Sequence, residues 1–246
     1  MTFAVFIYGL LLGSFFNVVG MRVPAQKSVV KPGSACPKCG RRLSPLELIP
    51  VLSYVIQGGK CRHCHSKISL FYPVVELSTA LLFVYAYSRF GWTFEFLFAC
   101  TLISLLVIIF MTDINYMLIP DKILLAFTAI FFIERLIEPL SPWWTSITGA
   151  ATGFALLLLI AIVSKGGMGG GDIKLFAVIG FALGTKIVLL SFFLASLAGA
   201  VFGAFGLLTG TFKRGDHIPF GPFISIGTLA AYFFHHEIFL WYFSLF

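Results

Sequence analysis

Eight apolar runs divide this chain, and their lengths restrict its fold more than any motif does. They extend from about Phe3 to Gly20, Leu70 to Tyr87, Phe94 to Thr112, Ile123 to Leu136, Ser146 to Val163, Ile173 to Leu183, Ile187 to Leu208 and Phe220 to Phe234. A bilayer core of about 30 Å takes roughly 20 helical residues per crossing. With 59% hydrophobic and only 11% charged residues, the composition excludes an ordinary water-soluble domain. The expected fold is an all-α polytopic membrane protein with about eight transmembrane helices. The fourth and sixth runs are short: Glu134 and Arg135 interrupt one, and Gly184 to Lys186 ends the other. Tilt, local thinning or re-entry is open for both.

Lysine and arginine in the short connections orient such a chain. Nine of the 17 lie between the first two runs: Arg22, Lys27, Lys31, Lys38, Arg41, Arg42, Lys60, Arg62 and Lys67. That segment is expected on the cytoplasmic side, and alternation then puts Lys122, Lys165, Lys174, Lys213 and Arg214 there too. Arg89, Arg135 and Lys186 remain outside, as do both termini. The net charge of +7 is explained by this orientation and by contact with anionic membrane lipid, so nucleic acid is not an expected partner. The first run has no basic residue before it and several after it, which reads as a retained anchor, not a cleaved signal.

One segment interrupts the apolar pattern. Residues 21–69 contain Cys36, Cys39, Cys61 and Cys64, two CxxC pairs separated by 21 residues. Each pair can hold one side of a tetrahedral Zn²⁺, as in zinc ribbons. A pair of disulfides would need an oxidising compartment, whereas the basic residues put this segment in the cytosol. Four thiolates leave no open coordination position, so the expected metal is structural. Lys38, Arg41, Lys60 and Arg62 are placed to offset the charge, and His63 and His65 read as solvated neighbours. The domain division expected from this pattern is a first transmembrane helix over 1–20, a zinc-binding module over 21–69 and a transmembrane domain over 70–246.

The acids are few enough to weigh singly. Glu95, Glu134, Glu138 and Glu237 fall near the outer boundary and are expected to be solvated; Glu47 and Asp216 belong to inside loops. Glu76 lies two turns into the second run and is equally readable as an interhelical hydrogen-bonding group or a functional acid. Asp121 follows Pro120 and is expected to cap the fourth helix. Asp113 and Asp172 stand at the inner ends of the third and sixth runs, at one membrane depth. Asp172 closes the stretch SKGGMGGGD, in which Gly166, Gly167, Gly169, Gly170 and Gly171 crowd one carboxylate. The stretch is no phosphate cradle, because Asp172 occupies the position where a P-loop needs lysine and a dinucleotide fold needs glycine.

A cap would explain the aspartate but not the glycines, which permit close approach by an extended substrate. If Asp113 and Asp172 meet, they share one proton; the anion can activate water while the acid protonates a peptide carbonyl. That is aspartyl protease chemistry. Lys174 or the positive end of the sixth helix is placed to support the anion.

At this point TDINYMLIPD together with GGGD resembles the paired-aspartate GxGD signature of the type IV prepilin leader peptidases. The likeness continues through GSFFNVVGMRVP, the double CxxC with IPVLSY between its halves, ISLFYPVVE and IPFGPF, in that order. GxGD alone is less specific, since presenilin-like proteases share it. The resemblance implies catalysis by Asp113 and Asp172, with Gly169, Gly170 and Gly171 in the active-site loop. It also implies a prepilin or pseudopilin precursor as substrate, cut on the cytoplasmic side of a short basic leader in the bacterial inner membrane. It further implies N-methylation of the new N-terminus with S-adenosylmethionine, for which no residue here marks the donor site. The chain departs from the common family pattern at Gly20-Met21, at Glu47 and at His65.

The rival reading is a transporter or proton relay with the zinc ribbon as a docking module. It predicts acids near mid-bilayer and matching halves, and this chain has no such repeat. A zinc-sensing receptor would leave GGGD without a task. Gly149 with Gly153, and Gly199 with Gly203, have the spacing of close helix contacts, and a homodimer through them is one outcome.

Overall fold

The computed structural model describes residues 1–165, 167–211, 213 and 218–244. Gly166, Arg214 and Asp216 of the sequence analysis lie outside the described residues. Among the described residues the chain forms eight α-helices: α1 (Thr2–Arg22), α2 (Leu52–Ile56), α3 (Phe71–Phe90), α4 (Phe94–Tyr116), α5 (Asp121–Ile137), α6 (Thr145–Val163), α7 (Gly170–Leu208) and α8 (Gly221–Phe243). There is one 3-10 turn, Pro45–Leu48, and the only extended pairing among the described residues is two isolated bridges. Six of the helices, α1, α3, α4, α6, α7 and α8, are long and apolar enough to cross a membrane. The protein is a multi-pass membrane protein. Its contacts divide it into two compact units, Met1–Met111 and Thr112–Phe246.

The six long helices account for seven of the eight expected runs, because α7 supplies two, and the fourth run is the shorter α5 of 17 residues. Gly184 lies inside α7 with φ 80° and ψ 173°, a left-handed conformation open to glycine and strained for other residues. On a straight helix Phe176 and Phe192 would be about 24 Å apart. Their rings instead meet edge to face with centroids 6.1 Å apart. The chain therefore folds back at Gly184 and α7 is a helical hairpin, whose legs correspond to the sixth and seventh runs. Breaking a helix in a membrane exposes backbone carbonyls that water cannot reach. Arg135 in the last turn of α5 answers this by donating from Nε to the carbonyl of Ala182 at 2.8 Å. Beside it, Glu134 is 8% exposed. The expectation that Glu134 is solvated at the outer boundary is thus corrected, since α5 turns that face inward.

Packing in the second unit depends on glycine. A Cβ on Gly149 of α6 would collide with the Gly180 carbonyl, and one on Gly180 with the Gly149 carbonyl. Gly153 meets the Phe176 carbonyl and Val188, so α6 lies against both legs of α7. The Gly149/Gly153 spacing is used within the chain. In the first unit, Gly9 and Gly13 of α1 let α3 approach at Ala80 and Glu76, respectively.

The module between α1 and α3 repeats one local structure. Bridges join Ala35 to Arg42 and Lys60 to Lys67. Gly40 and His65, each four residues after the first cysteine of its pair, both have positive φ, 71° and 54°. His65 thus adopts at its knuckle the conformation that glycine adopts at the other. Glu47, expected as a loop acid, is buried. Its Oε2 accepts from the Ser44 N–H (2.9 Å), the Ser44 hydroxyl (2.9 Å) and Arg41 Nη2 (2.8 Å). The Ser44 N–H above all, then the Ser44 hydroxyl and Arg41, hold its carboxyl below the ordinary value. Glu76 is also buried and accepts the Val51 N–H at 2.8 Å, tying the module to α3.

Two outcomes follow from these contacts. A valine at Gly180 has no room for its side chain against backbone, and overpacking of this kind costs about 1–3 kcal/mol. Gly180→Val should lower the thermal midpoint in detergent, whereas a change at the open Gly203 should not; equal midpoints would refute the assigned contact. Folding lowers the Glu47 carboxyl, so its contribution is present above the unfolded value of about 4.3 and is lost as pH falls through the folded value. Hydrogen exchange over residues 41–48 should be faster in Glu47→Gln than in wild type at neutral pH. The two should converge in acid, and equal exchange at neutral pH would refute the role.

Candidate active site

Asp113 and Asp172 come from helices far apart in sequence, and the second unit brings them together. Asp113 is in the last turn of α4 and Asp172 in the first turn of α7. Both are buried, at 6% and 8% exposure. The two carboxyls lie within electrostatic reach of each other.

Asp113 Oδ2 accepts the backbone N–H of Gly221 at 2.6 Å. Gly221 is the first residue of α8, followed by Pro222, which has no N–H to offer. The carboxylate therefore meets the positive end of α8. A Cβ on Gly221 would lie 2.7 Å from Asp113 Oδ2 and 2.8 Å from Asp113 Cβ, so glycine is what lets the acid reach the backbone. Gly221 was visible in the sequence only as part of IPFGPF, and nothing there linked it to Asp113.

The glycine loop divides its tasks. Gly169 is the N-cap of α7, and its carbonyl accepts the Asp172 N–H at 3.1 Å. A Cβ on Gly171 would strike the Ile119 side chain at 2.8 Å, which packs the start of α7 against the segment after Asp113. Gly170 has open space around the position of a side chain. Two expectations are corrected here. Lys174 does not serve the aspartate pair: its Nζ binds Asp121 at 2.8 and 2.9 Å on the exposed surface. Asp121 in turn makes no cap, because Pro120 holds the N-cap position and Asp121 is turned to Lys174.

The four cysteines form one cluster, with sulfurs all within 4.8 Å of one another. Cys36 and Cys64 Sγ are 3.8 Å apart. A tetrahedron with Zn–S bonds of about 2.3 Å has edges of about 3.8 Å, so the donor set fits Zn²⁺. The backbone N–H groups of Cys39 and Lys38, with the Ser66 hydroxyl, lower the Cys36 thiol to about 6. Cys39 is pushed up to about 11: the Arg41 N–H favours its thiolate, but desolvation and the sulfurs of Cys36, Cys64 and Cys61 outweigh it. One thiolate thus opposes the next, and a divalent cation is what relieves the conflict. His63 and His65 are exposed and take no part in the cluster.

Residues 7–90 match the Bacterial Peptidase A24 N-terminal domain, and residues 100–204 match the Type IV leader peptidase family. The chain is 47% identical to the prepilin leader peptidase/N-methyltransferase of Bacillus subtilis (strain 168), over 98% of this chain and 97% of that protein. It is 34% identical to the protein of the same description from Pseudomonas aeruginosa, over 91% and 87% of the two chains. The Myxococcus xanthus protein of that description is 39% identical, over 84% of this chain and 64% of its own. No solved structure matches. With two matched segments covering both units and similarity running from end to end, the chain belongs to the type IV leader peptidase family.

Proposed function

We propose that this protein is a prepilin leader peptidase and N-methyltransferase of the bacterial inner membrane. Asp113 and Asp172 are its catalytic pair and a prepilin or pseudopilin is its substrate. The observation that carries this reading is that two buried carboxyls at the ends of distant helices lie within electrostatic reach of each other, beside a loop of glycines. The names of relatives aligned over nearly the whole chain support both activities.

Two carboxyls in one desolvated site hold a single proton between them. The anion takes a proton from a water molecule as that water attacks the scissile carbonyl. The acid donates to the carbonyl oxygen, and the tetrahedral intermediate collapses when the leaving amine is protonated. The Gly221 N–H fixes the Asp113 carboxyl during these transfers, so little reorganisation is needed at the reacting atoms. At Gly170 the absence of a side chain leaves room for an extended peptide. The new amine is then methylated, with S-adenosylmethionine as the methyl-donating substrate.

The excess of lysine and arginine in the inside loops supports both termini outside and the active site on the cytoplasmic face. Residues 1–20 serve as the first anchor, 21–69 as a zinc module held by Cys36, Cys39, Cys61 and Cys64, and 70–246 as the peptidase. A closed set of four thiolates supplies rigidity, not a metal-bound nucleophile.

Incubating the purified protein with a pilin precursor and following intact mass tests the reading. Asp113→Asn and Asp172→Asn should each abolish loss of the leader while leaving the thermal midpoint in place. Gly221→Ala should slow cleavage by about 10²-fold, the scale expected for displacing a catalytic group by about 1 Å. Full activity in either asparagine variant would sink the assignment of the pair. Replacing Cys36 and Cys39 together by serine should remove bound zinc from the purified protein; unchanged metal content would refute the metal site.

A further inference from the structure

The chain between the two cysteine pairs leaves the sulfur cluster and returns to it. Cys39 and Cys61 belong to one set of sulfurs within 4.8 Å of one another, so the 21 residues between them form a closed excursion. Midway along it, the Val51 N–H donates to Glu76 of α3 at 2.8 Å. Glu76 lies five residues after Phe71, the first residue of α3, which is about 7.5 Å along the helix axis. A Cβ on Gly13 of α1 would lie 2.8 Å from Glu76 Cα, and Gly13 is about 14 Å short of the end of α1. The tip of the excursion therefore rests against the flanks of two helices that are long and apolar enough to cross a membrane, not beyond their ends. With 20 residues, α3 needs its whole length for a bilayer core of about 30 Å, so its first turns stand at the membrane boundary.

What the tip presents is apolar. Leu52, Val55 and Ile56 share one face of α2 by their i, i+3 and i+4 spacing, and they are 54%, 67% and 66% exposed. Leu46, Leu48 and Ile49, just before them, are exposed as well. Facing water, so dense a patch would forfeit the free energy that burial provides. The rest of the module is basic: Lys38, Arg42, Lys60, Arg62 and Lys67 are exposed. The single acid of residues 21–69, Glu47, is buried against Arg41. An apolar tip in a basic surround is complementary to a bilayer with anionic headgroups, and an interfacial helix sinks its apolar face by about 5–10 Å. The position of Val51 along α3 falls in that range. The same basic surround repels a basic peptide.

We propose that Leu48, Leu52, Val55 and Ile56 insert at the boundary between headgroups and acyl chains, and that the exposed lysines and arginines of the module bind the anionic phosphates of the headgroups. The cysteine module is then a monotopic element seated on the membrane that α1 and α3 cross. It is held there at the end of α1, at the start of α3 and along α2, so its height above the bilayer is fixed.

Photocrosslinking tests this with full-length protein in nanodiscs of phosphatidylcholine containing a minority of phosphatidylglycerol. p-Benzoylphenylalanine replaces Val55 in one sample and Leu48 in another, and mass spectrometry identifies what each position captures. Both should capture lipid, with phosphatidylglycerol adducts exceeding its share of the bilayer. Adding Leu52→Ser and Ile56→Ser should lower the lipid adduct at position 48 by about tenfold or more, since full burial of one large apolar side chain is worth about that factor. The thermal midpoint should not change, because the replaced side chains are exposed. If that variant fails to fold, the adducts at positions 48 and 55 in otherwise unchanged protein decide alone.

Capture of the chain itself or of a second copy, or no capture, would overturn the proposal. Lipid adducts in simple proportion to the bilayer composition would overturn it by removing the headgroup recognition. An undiminished adduct in the folded serine variant, or displacement of lipid by an added pilin precursor, would overturn it too. Both faces of a nanodisc carry the same lipids, so the outcome is independent of which side of the cell membrane the module occupies and of the roles of the aspartates.

Discussion

A backbone that turns inside a bilayer must find partners for the groups it frees, and the reversal at Gly184 is where this protein meets that demand. The positive φ of Gly184 makes the turn, and the Arg135 guanidinium donates to a carbonyl at the end of the first leg. That leg, Gly170 to Leu183, spans only about 21 Å at helical rise. Its start carries Asp172, and the second leg brings Phe192, Ser196 and Gly199 back toward the same end. A straight α7 would carry those residues away from the aspartate by several helical turns. The glycine pair at Gly149 and Gly180 then fixes the hairpin against α6 by direct backbone contact. Without hydrophobic attraction between helices in lipid, such close packing is a main source of association.

Much of this was legible in residue order because membrane helices and metal knuckles are local. The length of each apolar run predicts a helix without knowledge of its neighbours, and the two CxxC pairs announce a tetrahedral donor set by spacing alone. Asp113 and Asp172 stood out for a different reason: charge is so rare in these runs that each acid needs an account. What spacing could not reveal were pairings between distant elements. Lys174 is two residues from Asp172 in sequence, yet the helix directs it toward Asp121. Glu134 lies near the end of a helix, where solvation is the ordinary expectation, and it is buried because of how α5 is rotated. Gly221 stood in IPFGPF at the start of the last apolar run, and only the fold shows an acid 108 residues away resting on it.

The zinc module and the aspartate site use opposite strategies for negative charge. Around the cysteines, backbone N–H groups and Ser66 favour thiolates until the sulfurs crowd one another, an arrangement that fits a cation. At the aspartates, the Gly221 N–H meets the Asp113 carboxylate, and a second buried acid lies within electrostatic reach of the first. The first arrangement suits permanent occupation, while the second leaves a proton free to move. The proposed static role of the one site and reactive role of the other thus follow from how each treats its negative charge.

The partner of Asp113 is main chain, not a side chain. A side-chain donor can be deleted by one codon change, but an amide N–H survives every substitution except proline. At Gly221 the space beside Asp113 also excludes larger residues. A small molecule that displaced Asp113 from that amide, or borrowed the amide for its own anion, would rely on a group that point mutation can hardly remove. Escape from such a compound would have to come from changes elsewhere around the carboxyl.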